Sequence, residues 1–152
     1  MKTIINIVVL ILSFSYVGNC QFIEKEKVST SQVPANVISE FNKNYKTVEN
    51  VEWFEYGSVN FLVYFKKDCD NYIIFYDYDG KAKKIKKEIC INNLSKEIKE
   101  KVFSFYSNAE IQKAYNVEII DQEKLLEIHV FDMDSDRDIV MELREPQTET
   151  KL

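Results

Sequence analysis

The sequence predicts an α+β fold of two tandem units, each a helix packed on one face of an antiparallel meander sheet. Three observations carry that expectation. Apolar residues recur every fourth position in two separate stretches, and after each stretch they alternate every second position. The first spacing marks one face of a helix and the second a strand half-buried in a sheet. Finally, 1 Trp, 9 Tyr and 10 Phe stand against only 3 Gly and 2 Pro, which excludes collagen-like and linker-rich chains. With 45% hydrophobic and 30% charged residues, the composition is that of a globular protein and not a disordered one.

The first 20 residues stand outside this pattern. Lys2, the apolar run Ile4 to Leu12 broken only by Asn6, and the small-residue stretch Val17-Gly18-Asn19-Cys20 have the parts and the order of a secretory signal peptide. The run is well short of the ~20 residues that span a bilayer, so no membrane span is expected. Cleavage after Cys20 removes 20 of 152 residues, leaves 132, and moves the formal charge from −5 to −6 by removing Lys2. Acylation of Cys20 as a lipid anchor is the disfavoured alternative, because Asn19 stands where a lipobox takes Gly, Ala or Ser. A secreted or periplasmic location follows.

Gln21 to Gln32 is polar and charged and reads as a flexible leader. Val33, Val37, Phe41 and Tyr45 then form a helical stripe, with Pro34 suited to the first turn. From Asn50 the period becomes two: Val51 to Tyr56, Asn60 to Phe65, Tyr72 to Asp77 and Ala82 to Ile91 read as strands, the last two joined at Asp79-Gly80. Asn92-Asn93 offers a helix cap, and Leu94, Ile98, Val102 and Tyr106 repeat the stripe 61 residues later. Strands follow at Ile111 to Ile120, Lys124 to Phe131 and Asp138 to Arg144. The units therefore run 33–91 and 92–145, with a frayed tail at 146–152. The expected core is Val37, Phe41, Tyr45, Val51, Trp53, Ile74 and Ile85 in the first unit, and Ile98, Val102 and Tyr106 in the second.

Val33-Pro34, Phe41, Tyr45, Val51-Glu52-Trp53, the aromatic strands and the turn Tyr76-Asp77-Tyr78-Asp79-Gly80-Lys81 resemble the PepSY-like, beta-lactamase-inhibitor-like family of small secreted bacterial proteins. The resemblance covers about Val33 to Arg144. Two positions depart from it: Lys46 stands where Pro is common, and the second unit has no counterpart of Trp53. It implies a helix on one face of each sheet, envelope export, and target binding by an open sheet face.

Catalysis is disfavoured. His129 is the only imidazole, it lies in the apolar strand Leu126 to Phe131, and no Ser or Cys motif places a nucleophile beside it. Asp132-Met133-Asp134-Ser135-Asp136-Arg137-Asp138 alternates acids as a calcium loop does. Arg137 and Leu143, however, stand where such a loop needs Gly and Glu, so no metal and no cofactor are expected. Lys81, Lys83, Lys84, Lys86 and Lys87 read as the solvated side of a strand, where lysines block edge-to-edge pairing. The chain's negative charge disfavours nucleic acid.

Cys69 and Cys90 form a candidate disulfide in an oxidising compartment. If Asp79-Gly80 is a two-residue turn, Tyr78 lies opposite Lys81, and counting outward sets Cys69 opposite Cys90. A bulge at Gly80 would shift the register by one and put the two on opposite faces.

Ten of the 20 rings fall between Trp53 and Tyr78, on both sides of the strands. One helix covers one face. With Trp53 inward, Phe54, Tyr56 and Phe75 are left outward as a candidate partner-binding surface. The expected role is thus an exported, non-catalytic binding or inhibitor-like module acting on another envelope or secreted protein. The alternative is a periplasmic carrier holding a small molecule or peptide between helix and sheet.

Overall fold

The computed structural model describes residues 25–57 and 60–144. The expected signal peptide, its expected cleavage point, Cys20 and the expected tail lie outside the described residues. Among those described, no helix is long and apolar enough to cross a membrane.

The architecture is α+β, but the expected two tandem helix-plus-sheet units are not what forms. All strands join one antiparallel sheet in sequence order: β1 (Lys25–Val28), β2 (Glu49–Tyr56), β3 (Asn60–Lys67), β4 (Asp70–Asp77), β5 (Ala82–Ile89), β6 (Ala109–Ile119), β7 (Lys124–Asp132) and β8 (Arg137–Arg144). Among the described residues, two short α-helices, α1 (Ala35–Asn44) and α2 (Lys96–Phe105), accompany these eight strands. The boundary expected near Cys90 is bridged by β5–β6 pairing from Lys84↔Ile119 to Ile89↔Ala114.

The lysines of β5 explain why this seam is hidden in the sequence. They suggest a protective edge, yet β5 is paired on both sides. Its charges are met locally: Lys87 Nζ lies 2.7 Å from Asp70, Lys83 Nζ 3.0 Å from Asp77, and Lys86 Nζ 2.5 Å from Glu127. The aliphatic stems of such side chains can line a central strand while the amines reach partners.

Both helices lie on the same face. The row Trp53↔Val63↔Ile74↔Ile85 crosses β2 to β5 and packs under Val37 and Phe41 of α1. Phe41 meets Trp53 and Phe65 edge-on, with centroids 5.3 Å apart in both pairs, the arrangement aromatic quadrupoles favour. Under α2 the cluster is aliphatic: Leu94, Val102, Ile111, Ala114, Ile128 and Val130. Of the expected core, Val37, Phe41, Trp53, Ile74 and Val102 are buried, and Tyr45, Ile85, Ile98 and Tyr106 are half-buried.

Val51 is instead 40% exposed. Asn50 adopts a positive φ of 53°, and the β2–β3 register slips between Glu49 and Glu52. That bulge takes Val51 out of the row that Trp53 begins. Two other expectations also change. Lys25–Val28, expected within a flexible leader, pairs with β2 from Lys25↔Tyr56 to Val28↔Trp53. Asn92 and Asn93 lie in a 3-10 turn, and Ser95 caps α2, its hydroxyl accepting from the Ile98 amide at 3.3 Å.

The β4–β5 hairpin closes with a wider turn than Asp79-Gly80 alone, since the Asp77 amide donates to the Lys81 carbonyl at 3.0 Å. Gly80 has φ +82°, and a Cβ there would stand 3.0 Å from the Asn36 backbone at the start of α1. The turn therefore needs glycine for conformation and for contact alike.

Candidate interaction face

The face opposite the helices is built by the alternate residues of the same strands. Phe54 of β2, Leu62 of β3, Phe75 of β4 and Lys84 of β5 stand in one cross-strand row. Tyr56 shares their side, two residues beyond Phe54. The structure thus brings Phe54, Tyr56 and Phe75 onto one surface, each half-buried. Phe54 packs edge-on against Tyr64 at 5.2 Å, and Tyr56 against Phe75 at 6.1 Å. Lys25 of β1 donates to the Tyr64 hydroxyl at 2.8 Å, with its amine 4.3 Å from the Phe54 ring centroid, a cation–π position.

Towards β6 and β7 the same face becomes charged. Glu127 is only 2% exposed although no helix lies over it. Lys86 Nζ donates to both of its oxygens at 2.5 and 2.7 Å, His129 Nε2 lies 2.7 Å from Oε1, and Lys84 Nζ is 3.7 Å from Oε2. Burial acts to raise the Glu127 carboxyl. The hydrogen bonds from Lys86 and His129 and the charges of Lys86 and Lys84 outweigh it, and the group is held below its ordinary 4.5. Tyr115 meets His129 edge-on at 5.5 Å, and burial, aided by the charge of Glu88, pushes its hydroxyl up to about 12. Tyr115, Val117 and Leu125 are buried on this side, with Ile73 and Ile119 packed beside them.

This face therefore carries a ring strip at β2–β4 beside a cluster with two lysines and one buried carboxylate. Within that cluster the imidazole of His129 is engaged by Glu127 and Tyr115.

Solved structures share this fold. A DUF2874 family protein from Bacteroides uniformis superposes with a TM-score of 0.63 at 13% identity, over 73% of this chain and 81% of its own. A BLIP-like protein from Bacteroides fragilis does so with a TM-score of 0.53 at 14% identity, over 76% and 89%. The fold is BLIP-like. A candidate periplasmic protein from Bacteroides eggerthii superposes with a TM-score of 0.64 at 11% identity, over 74% of this chain and 81% of its own. No protein-family model matches the chain, and no curated protein matches it. The PepSY-like part of the resemblance thus gains no support, whereas its inhibitor-like part holds at the level of fold.

The remaining sequence-predicted features lie elsewhere in this BLIP-like fold. Cys69 and Cys90 are exposed, free thiols. The β4–β5 register does run from Tyr72↔Lys87 to Phe75↔Lys84, as the two-residue turn required, but it is reached through a slip between Phe75 and Tyr76 that offsets the wider turn, and β4 begins only at Asp70. Cys69 is a turn residue with φ 69°, outside the ladder that was to set it against Cys90. The acids of the β7–β8 turn bind their own backbone and neighbours: Ser135 donates to Asp132 at 2.5 Å and Asn108 to Asp134 at 2.8 Å. Glu127 was not singled out from sequence. Its one signal is an acid flanked by apolar residues in Leu125-Leu126-Glu127-Ile128.

Proposed function

We propose that this chain is an exported, non-catalytic binding module that holds another envelope or secreted protein against its open sheet face. The observation that carries the reading is the strip of Phe54, Tyr56 and Phe75, half-exposed on the side of the sheet that neither helix covers. Tyr and Phe provide large, rigid contact area at small entropic cost. Lys25, Lys84 and Lys86 flank those rings, so the fitting partner presents an apolar or aromatic group with acidic neighbours. An inhibitor-like action is supported by the BLIP-like neighbour, and an envelope location by the neighbour described as a candidate periplasmic protein.

The test is capture from an envelope extract by the immobilised mature protein. Phe54→Ser, Tyr56→Ser and Phe75→Ser together should leave the fold intact and abolish capture. Capture at the wild-type level would sink the reading.

One observation favours the carrier as a second reading. A cleft of about 760 Å³ opens beside α2 on the helix face, with Ile89, Leu94, Ile98, Leu126 and Leu143 among its walls. It is open to solvent and not a closed chamber. A mass spectrum of the purified native protein separates the readings: a co-purified small molecule supports the carrier, and its absence together with partner capture supports the module.

A further inference from the structure

The sheet ends in two unlike edges. The described part of β1, Lys-Glu-Lys-Val, has its three charged residues exposed, a composition that discourages further pairing. β8 is eight residues long, and among the described residues nothing pairs with its outer side. Its burial alternates: Ile139, Met141 and Leu143 are half-buried on the helix side, while Asp138, Val140, Glu142 and Arg144 are exposed on the open side. Val140 is 53% exposed.

The sequence of β8, Arg-Asp-Ile-Val-Met-Glu-Leu-Arg, complements itself when reversed. With a two-fold axis at Met141, Asp138 faces Arg144 of a second copy, Ile139 faces Leu143, and Met141 faces Met141. The Asp138–Arg144 and Ile139–Leu143 pairs then each occur twice, Met141 meets itself once on the axis, and Val140 lies beside Glu142 on the open side of a continuous sheet. Registers one residue to either side set acid against acid, and axes further out, at Ile139 or Leu143, overlap fewer of the described residues of β8. An axis at Val140 sets Asp138 against Glu142, and an axis at Glu142 sets that acid against its own copy. An axis between two residues places helix-side residues opposite open-side ones. Pairing of β8 with β1 would be head-to-tail and open-ended, whereas β8 with β8 closes as a dimer.

We propose that two copies of this chain pair antiparallel through β8 about Met141, joining their sheets into one of sixteen strands with both aromatic strips on the same side. This does not depend on what binds those strips. Sedimentation velocity of the mature protein over a concentration series should show a dimer. Asp138→Arg and Arg144→Asp, both at exposed positions, should each weaken it about tenfold or more, because each sets like charges opposite one another twice. An equimolar mixture of the two variants should regain the dimer, since Arg at 138 then faces Asp at 144 and native Asp138 faces native Arg144. That recovery also establishes that both variants are folded. A monomer at every concentration, a dimer indifferent to both reversals, or a mixture that stays monomeric would each overturn the proposal.

Discussion

On the helix side of the sheet, Trp53, Val63 and Ile74 stand in one row, and none is more than 3% exposed. One residue along each strand, Phe54, Leu62 and Phe75 stand in a parallel row on the other side, where Leu62 is equally buried and the two rings are not. The first row is closed by α1. The second is closed by its own side chains, as rings and lysine stems lie over smaller neighbours. A helix gives complete burial and leaves nothing to offer a partner. A self-covered face keeps half-exposed rings beside amines already held in place. Burial at the cost of access on one side, and access with fixed geometry on the other, is the division that a binding module requires.

The largest expected effect breaks the helix side. Trp53→Ala removes a buried ring packed against Phe41 and should cost about 3–5 kcal/mol in chemical denaturation. Next is the charged part of the open face. Glu127→Ala leaves Lys86, whose side chain is 14% exposed, without its acceptor, and should cost about 2 kcal/mol. Replacing both, by Lys86→Met with Glu127→Leu, should recover most of that loss, because an apolar pair needs no desolvated charge.

The pH dependence follows from the same group. Glu127 is held below its ordinary value in the folded chain, so its stabilising contribution is fully present above about 4.5. It is lost as pH falls through the depressed value. Thermal melts should therefore show a larger loss below that pH for the wild type than for the double variant. The smallest stability effect belongs to the ring strip: Phe54→Ser, which forfeits the Tyr64 contact, should cost about 1 kcal/mol.

Much of the fold was legible because burial leaves a period. Val37 and Phe41 mark α1, and Trp53, Ile74 and their polar neighbours mark strands, since one side of each element is hidden. β1 was not legible for the same reason: Lys25, Glu26 and Lys27 are all exposed, and an edge strand without a buried side has no period to read. The join between β5 and β6 was hidden because backbone hydrogen bonds make it and the lysines of β5 resemble an exposed edge. Val51 was misplaced because a bulge at Asn50 changes the register without changing the pattern of residues. In the candidate site, the rings were legible from their number and alternation. Glu127 was not, because its partner Lys86 lies 41 residues away on a strand whose pairing with β6 the sequence did not reveal.

The decisive measurement compares the two faces directly. Phe103 and Phe105 of α2 are 42% and 65% exposed and supply apolar surface on the helix side, while Phe54, Tyr56 and Phe75 supply it on the other. Two variants, Phe103→Ser with Phe105→Ser and Phe54→Ser with Tyr56→Ser and Phe75→Ser, would be compared with the wild type in the same envelope capture. The open-face variant is predicted to lose the partner and the α2 variant to retain it. Retention by the open-face variant with loss by the α2 variant would contradict the account.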